Sequence, residues 1–102
     1  MTNFEPSRPA TYIVSGGASR LGAAFVRRIS EGNNNVIIGD LDEAAGTEIA
    51  NEFDESVVFC RCDVRRDEDL ADLVLCASDV FGGLDGIVNN AVSYLDLSLI
   101  HI

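Results

Sequence analysis

Short β-branched runs and helical stripes of apolar residues alternate along this chain. Residues 11–15, TYIVS, are β-branched or aromatic and follow a proline, which predicts a strand that opens just after a turn. From Ser19 the period lengthens. Leu21, Phe25 and Ile29 fall at i, i+4 and i+8, Arg27 and Arg28 stand off that stripe, and Gly32 closes the segment. This predicts a helix whose buried face is Leu21, Phe25 and Ile29. VIIG at 36–39 is a continuous apolar run of the kind found in parallel strands covered on both faces. Ala45, Ile49 and Phe53 form a second helical stripe. VVFC at 57–60 predicts a third strand, and Leu70, Leu73, Val74, Ala77 and Phe81 a third helix that ends at Gly82 and Gly83. GIVNN at 86–90 predicts a fourth strand. The order β-α-β-α-β-α-β, with right-handed helical crossovers, specifies an α/β fold built on a parallel sheet. The tail VSYLDLSLIHI alternates Leu95, Leu97 and Leu99 with Asp96, Ser98 and Ile100 like a strand, and no helical stripe separates it from the fourth strand. The expected division is an N-terminal extension at 1–10, a folded half-domain at 11–91 and a divergent tail at 92–102.

Charge narrows the partners. All seven basic residues are arginine, there is no lysine, and seventeen Asp and Glu bring the formal net charge to −10. Such a surface repels a phosphate backbone at long range, so neither nucleic acid nor an anionic membrane is expected to bind. No run approaches the ~20 apolar residues of a membrane span, and the N-terminal ten residues lack a signal-peptide core, which points to the cytoplasm. Cys60 and Cys62 share one strand face, which does not suit a bridge between them. Together with Cys76 and the single His101 they offer no recognisable metal spacing, so they read as small packing residues.

The stretch that carries chemistry is SGGASRLG at 15–22, wedged between the first strand and the first helix. A strand that feeds a helix through a glycine-rich turn presents unpaired N–H groups and the positive end of the helix dipole, a setting that suits a pyrophosphate. Gly16, Gly17 and Gly22 let backbone and ligand approach, while Ser15 and Ser19 supply hydroxyls. Any tight strand-to-helix turn favours glycine, so context decides. Asp40 ends the next strand about 20 residues on, the dinucleotide-binding arrangement. The competing reading of Asp40 is a solvated loop acid beside Asp42 and Glu43.

With those residues in view, the chain resembles the N-terminal part of a short-chain dehydrogenase/reductase. The family's glycine motif T-G-x-x-x-G-x-G is met by SGGASRLG, Asp40 stands in IIGDLD, Asp63 and Val64 in CDV, and GGLDGIVNNA parallels the family's G-x-L-D-x-x-V-N-N-A-G. The resemblance runs from about residue 10 to Ala91 and implies a partial Rossmann fold, four strands in the order 3-2-1-4 with crossover helices on both faces. It also implies roles. Ser15, Gly16, Ser19, Arg20, Leu21 and Gly22 would line the pyrophosphate, Asp40 would accept from the adenosine ribose, and Asp63 and Val64 would flank the adenine. Asn89, Asn90 and Ala91 would close the floor under the ribose, one asparagine serving equally to tie the fourth strand to its neighbours. Two positions depart from the pattern: Arg20 replaces the middle glycine, as in pteridine-reductase-like members, and Val92 replaces the last.

The cofactor expected is NAD rather than NADP. A carboxylate at Asp40 gains about 1.5–3 kcal/mol from a charged hydrogen bond to a free ribose hydroxyl, whereas a 2′-phosphate meets like charge. The family's catalytic tyrosine and the lysine four residues later are absent, since Tyr94 is followed by Ser98 and no lysine exists in the chain. The chain is therefore expected to be an inactive opening part of an oxidoreductase acting on alcohols or carbonyls. The alternative is a short non-catalytic module that binds nucleotide or pairs with another chain through an exposed edge of the fourth strand.

Overall fold

The computed structural model describes residues 9–90, so Ala91, the tail at 92–102 and most of the expected N-terminal extension lie outside the described residues. Four strands, β1 (Thr11–Ser15), β2 (Asn35–Asp40), β3 (Val57–Arg61) and β4 (Gly86–Asn89), form one parallel sheet in the order β3-β2-β1-β4. Three helices connect them: α1 (Arg20–Glu31), α2 (Glu43–Ala50) and α3 (Asp67–Phe81). Both the strand order and the two-sided helical covering agree with the sequence expectation. No helix among the described residues is long and apolar enough to cross a membrane.

Strand alternation sorts the core into two layers. Val14, Val36, Ile38 and Val57 point to one face and pack with Ala23 and Val26 of α1 and Ile49 of α2. Ile13 and Ile37 point to the other face and meet Leu73 and Ala77 of α3, with Cys62 just past β3. The register is coherent across the sheet. Ile13 lies beside Ile37 and Ile87, and Val14 beside Ile38 and Val88, so each layer is a row of like-facing branched side chains. β1 and β2 are central, and their apolar residues are buried from both sides.

The face of α1 differs from the expected one. Leu21 is 60% exposed and Phe25 37%, while Gly22, Ala23 and Val26 are buried and Ile29 packs partly behind them. Periodicity gave the helix but not its phase, because the residues nearest the sheet are the small ones that let α1 approach β1 and β2. In α3 a similar shift occurs: Leu73 and Ala77 are buried and Phe81 is half-buried, while Leu70 and Val74 are exposed beside β4. β4 pairs with β1 alone among the described residues, and its Ile87 is 58% exposed.

In α2, Gly46 faces the ring of Phe59 so closely that a Cβ there would overlap Cδ1 and Cε1 of that ring. Alanine normally favours a helix over glycine by about 1 kcal/mol, but overpacking a core costs about 1–3 kcal/mol. Gly46→Ala is therefore expected to destabilise the fold despite its better helix propensity. Urea denaturation of the single variant and of the Gly46→Ala, Phe59→Leu pair checks this: the second substitution should recover part of the lost stability.

Candidate functional site

The C-terminal ends of β1 and β4 lie side by side, with Ser15 in register with Asn89, and the chain leaves β1 upward through the glycine turn. β2 extends to the other side of β1, so this is the point where connections from β1 and β4 diverge. Crevices at such points are where open parallel sheets bind ligands.

Gly16 makes the turn with φ of 70°, a left-handed conformation that costs glycine little. Its N–H donates to the Gly39 carbonyl at 2.7 Å, pinning the turn to β2. Its own carbonyl is met by three donors: Ser19 N–H at 3.1 Å, Ser19 Oγ at 2.8 Å and Asn90 Nδ2 at 3.1 Å. Gly22, in the first turn of α1, lies directly against that carbonyl, and a Cβ there would overlap the oxygen. The last glycine of the motif is thus a matter of space at the turn.

Ser19 caps α1. Its Oγ accepts Gly22 N–H at 3.0 Å and Asn90 Nδ2 at 3.0 Å while giving its proton to Gly16. Ser15 Oγ donates to Asn89 Oδ1 at 2.9 Å and accepts Asn90 N–H at 3.1 Å. Both serine hydroxyls therefore hold the turn to the end of β4. Ala23 N–H opens the helical ladder by bonding Ser19 O, and among the described residues the N–H groups of Arg20 and Leu21 make no hydrogen bond. The first turn of α1 contains no acidic residue, whereas that of α3 holds Asp67, Glu68 and Asp69. No carboxylate of α1 itself neutralises its positive end, which has the exposed Arg20 beside it.

Asp40, half-buried at the end of β2, is tied to the same turn. Its Oδ2 accepts Ala18 N–H at 3.0 Å and its Oδ1 accepts Asp42 N–H at 2.9 Å. Its backbone carbonyl takes Cys62 N–H at 2.9 Å, which carries the rim on to Asp63. Asp63 is held twice. Its N–H donates to Asp69 Oδ2 at 2.9 Å, and its carboxylate takes the Arg65 N–H and Nε on Oδ1, both at 3.0 Å, and Arg65 Nη2 on Oδ2 at 2.9 Å. Val64, Ser15 and Asn89 line one end of a groove of about 300 Å³ that runs between α3 and β4 past Leu70, Val74 and Ile87.

Eleven of the residues singled out from the sequence lie at this end of the sheet or on its rim, and Ala91 is outside the described residues. The hydrogen bonds join Ser15, Gly16, Ser19, Gly22, Asn89 and Asn90 into one cluster, with Asp40 attached through Ala18. Asp63 and Val64 stand further along the rim. Two participants were missed: the Ala18 backbone, which its side chain could not announce, and Arg65, whose only signal is its place two residues after Asp63. The cysteines stay outside the site. Burial, with the Cys76 thiol next to it, pushes Cys60 up to about 12, and burial also raises Cys62. Among the described residues no group of His, Cys, Asp and Glu could hold a metal ion.

The Arg65 hydrogen bonds hold the Asp63 carboxyl at about 2, below its ordinary 3.8. A lowered carboxyl pKa contributes stability that is complete above the unfolded-state value and lost as pH falls through the folded one. The contribution of this pair should therefore fade between about pH 4 and pH 2. A carbon-13 NMR titration of the Asp63 carboxyl should give a midpoint near 2 in the wild type and a clearly higher one in Arg65→Ala, which loses the side-chain bonds but keeps the backbone N–H to Oδ1.

Comparison with known proteins places this geometry. The family model described as short chain dehydrogenase matches residues 10–97. The chain is 46% identical over 79 residues to L-fucose dehydrogenase of Bos taurus, a match that covers 78% of this chain and 29% of the relative. Among solved structures it is similar to alternative dihydrofolate reductase 1 (FolM) of Brucella canis complexed with NADP, with a TM-score of 0.74 and 30% identity, over 83% of this chain and 36% of that one. It has the same fold as 3-ketoacyl-(acyl-carrier-protein) reductase of Brucella melitensis complexed with NADH, with a TM-score of 0.75 and 24% identity, over 78% of this chain and 33% of that one. The chain spans about a third of the length of the curated relatives it matches. The family match takes in all four strands, all three helices and the glycine turn, and on that ground the chain belongs to the short-chain dehydrogenase family.

Proposed function

We propose that this chain forms the adenosine-side half of a dinucleotide site, selective for NAD over NADP, in an oxidoreductase of alcohol or carbonyl substrates. The turn at 15–22 and the first turn of α1 receive the pyrophosphate on backbone N–H groups, helped by the charge of Arg20. Bound NAD would supply the hydride chemistry, and the residues described here bind and orient it. The substrate end is not among them. The chain contains no lysine, so it cannot supply the tyrosine–lysine pair that the family resemblance calls for, and we expect it to bind cofactor without turnover.

The observation that carries the NAD preference is the setting of Asp40. Hydrogen bonds from Ala18 and Asp42 to its two oxygens fix the carboxylate on the rim of the turn. Each oxygen keeps acceptor capacity for a ribose hydroxyl. A 2′-phosphate would meet a negative charge that cannot swing aside without releasing two N–H groups. Arg61 lies in register with Asp40 on β3, a relation the sequence reading did not foresee, and forms no ion pair with it among the described residues.

Titration calorimetry with NAD⁺ and NADP⁺ tests the reading. The wild type should favour NAD⁺ by about ten-fold or more, corresponding to about 1.4 kcal/mol. Asp40→Asn should narrow the gap to about three-fold or less, because it removes the repulsion and leaves Arg61 beside the ribose. Equal affinity for both cofactors in the wild type would remove the role assigned to Asp40.

A further inference from the structure

Three cysteines gather on the α3 side of the sheet, and the site at the strand ends uses none of them. Cys60 lies on β3 and Cys76 on α3, and both pack against the layer made by Ile13, Ile37, Leu73 and Ala77. The register explains how they meet. Cys60 is paired with Gly39 on β2, and Leu73 lies so close over Gly39 that a Cβ there would overlap its Cδ1. Leu73, Cys76 and Ala77 fall at i, i+3 and i+4 on α3, so the helix face that meets the sheet at Gly39 also carries Cys76. The thiols of Cys60 and Cys76 are in hydrogen-bond contact. Both cysteines are half-buried, whereas Cys62 is 1% exposed. Burial, with Cys76 beside it, pushes the Cys60 thiol up to about 12, so it stays protonated near neutral pH.

We propose that Cys60 and Cys76 form a redox-modifiable dithiol, oxidised by low-molecular-weight disulfides to an intramolecular bridge that staples α3 to β3. The site stands apart from the cofactor reading. Cys76 attacks one sulfur of the small disulfide as its thiolate and displaces the first thiol. Cys60 then attacks the Cys76 sulfur of the mixed disulfide and releases the second. Each proton passes to a departing thiolate, two electrons leave the chain, and the small disulfide is reduced to two thiols. Cys60 is the slow partner because it is held protonated, so a mixed disulfide at Cys76 precedes the bridge. Closure brings the sulfurs from hydrogen-bond contact to about 2.05 Å. The bridge encloses residues 60–76, among them Asp63, Val64 and the first turn of α3. Oxidation thus ties the rim that follows β3 to the body of the helix by a second covalent path.

The test incubates the full chain with oxidised glutathione, traps free thiols with an alkylating agent and maps the peptides. Trypsin cuts after Arg28, Arg61 and Arg66, which puts Cys60, Cys62 and Cys76 on separate peptides. The main product should be a Cys60–Cys76 link, formed faster in the folded chain than in urea and reversed by dithiothreitol. The oxidised protein should melt about 5 °C or more above the reduced form, because the bridge restricts the unfolded chain. Cys62→Ala should keep both the link and the shift, and Cys76→Ala should abolish both. A main product that joins Cys62 to either of the others, links two chains, or leaves glutathione on Cys76 without closure would overturn the proposal. So would a Cys60–Cys76 link that forms as readily in urea, since the fold would then not supply the encounter. A link that fails to raise the melting temperature would overturn the staple as well.

Discussion

The carbonyl of Gly16 is the point on which the site depends. A left-handed turn aims it inward, where it meets donors from the backbone and side chain of Ser19 and from the side chain of Asn90. Three donors on one oxygen exceed what a carbonyl's two lone pairs hold in ideal geometry, so the turn is fixed from several directions at once. The same oxygen sets the identity of Gly22, because any side chain there would occupy its place. One backbone group therefore ties the end of β1, the cap of α1 and the end of β4 into a single body. Each of these bonds is worth about 1 kcal/mol net, yet together they hold the N–H groups of α1 where an anion can reach them.

Charge is distributed to the same effect. The chain is strongly acidic, and a negative ligand approaches it against the overall field. Locally the picture reverses. α3 surrounds its own N-terminus with three carboxylates, whereas α1 has none and carries Arg20 instead. Asp40 is the carboxylate nearest the turn, and two backbone N–H groups hold it to one side. This separates a positively polarised surface from a held carboxylate within one short rim. Under the proposed function, this separation lets an acidic protein accept an anionic cofactor and still present a carboxylate to its ribose.

The fold was legible because parallel strands and crossover helices leave strong patterns: β-branched runs at 11–15, 36–39 and 57–60, each followed by a helical stripe. What the patterns hid was the phase of α1. Hydrophobic size pointed to Leu21 and Phe25, but the sheet accepts Gly22, Ala23 and Val26, since a close approach selects for small residues rather than large ones. At the site, residue types announced the turn, Asp40 and the asparagines. Partners made by backbone N–H groups, such as Ala18 to Asp40, leave no trace in side-chain identity. Arg65 went unread for a related reason: a charged residue near the end of a loop is usually solvated, and only the three bonds to Asp63 show that this one is engaged.

The polar ties also bear on the cost of binding. A ligand that must order a loop loses affinity for each residue it immobilises, and here the turn is ordered by bonds that use no ligand atom. Ser15 and Ser19 engage their hydroxyls within the protein itself. In the cofactor reading proposed above, the pyrophosphate is left to backbone N–H groups, which cannot rotate away. Under the function proposed above, recognition divides by chemistry: fixed backbone dipoles for the charged centre and the held carboxylate of Asp40 for the ribose hydroxyls. Changing a carboxylate should therefore alter which dinucleotide is preferred, whereas disturbing the Gly16 carbonyl should weaken every dinucleotide alike.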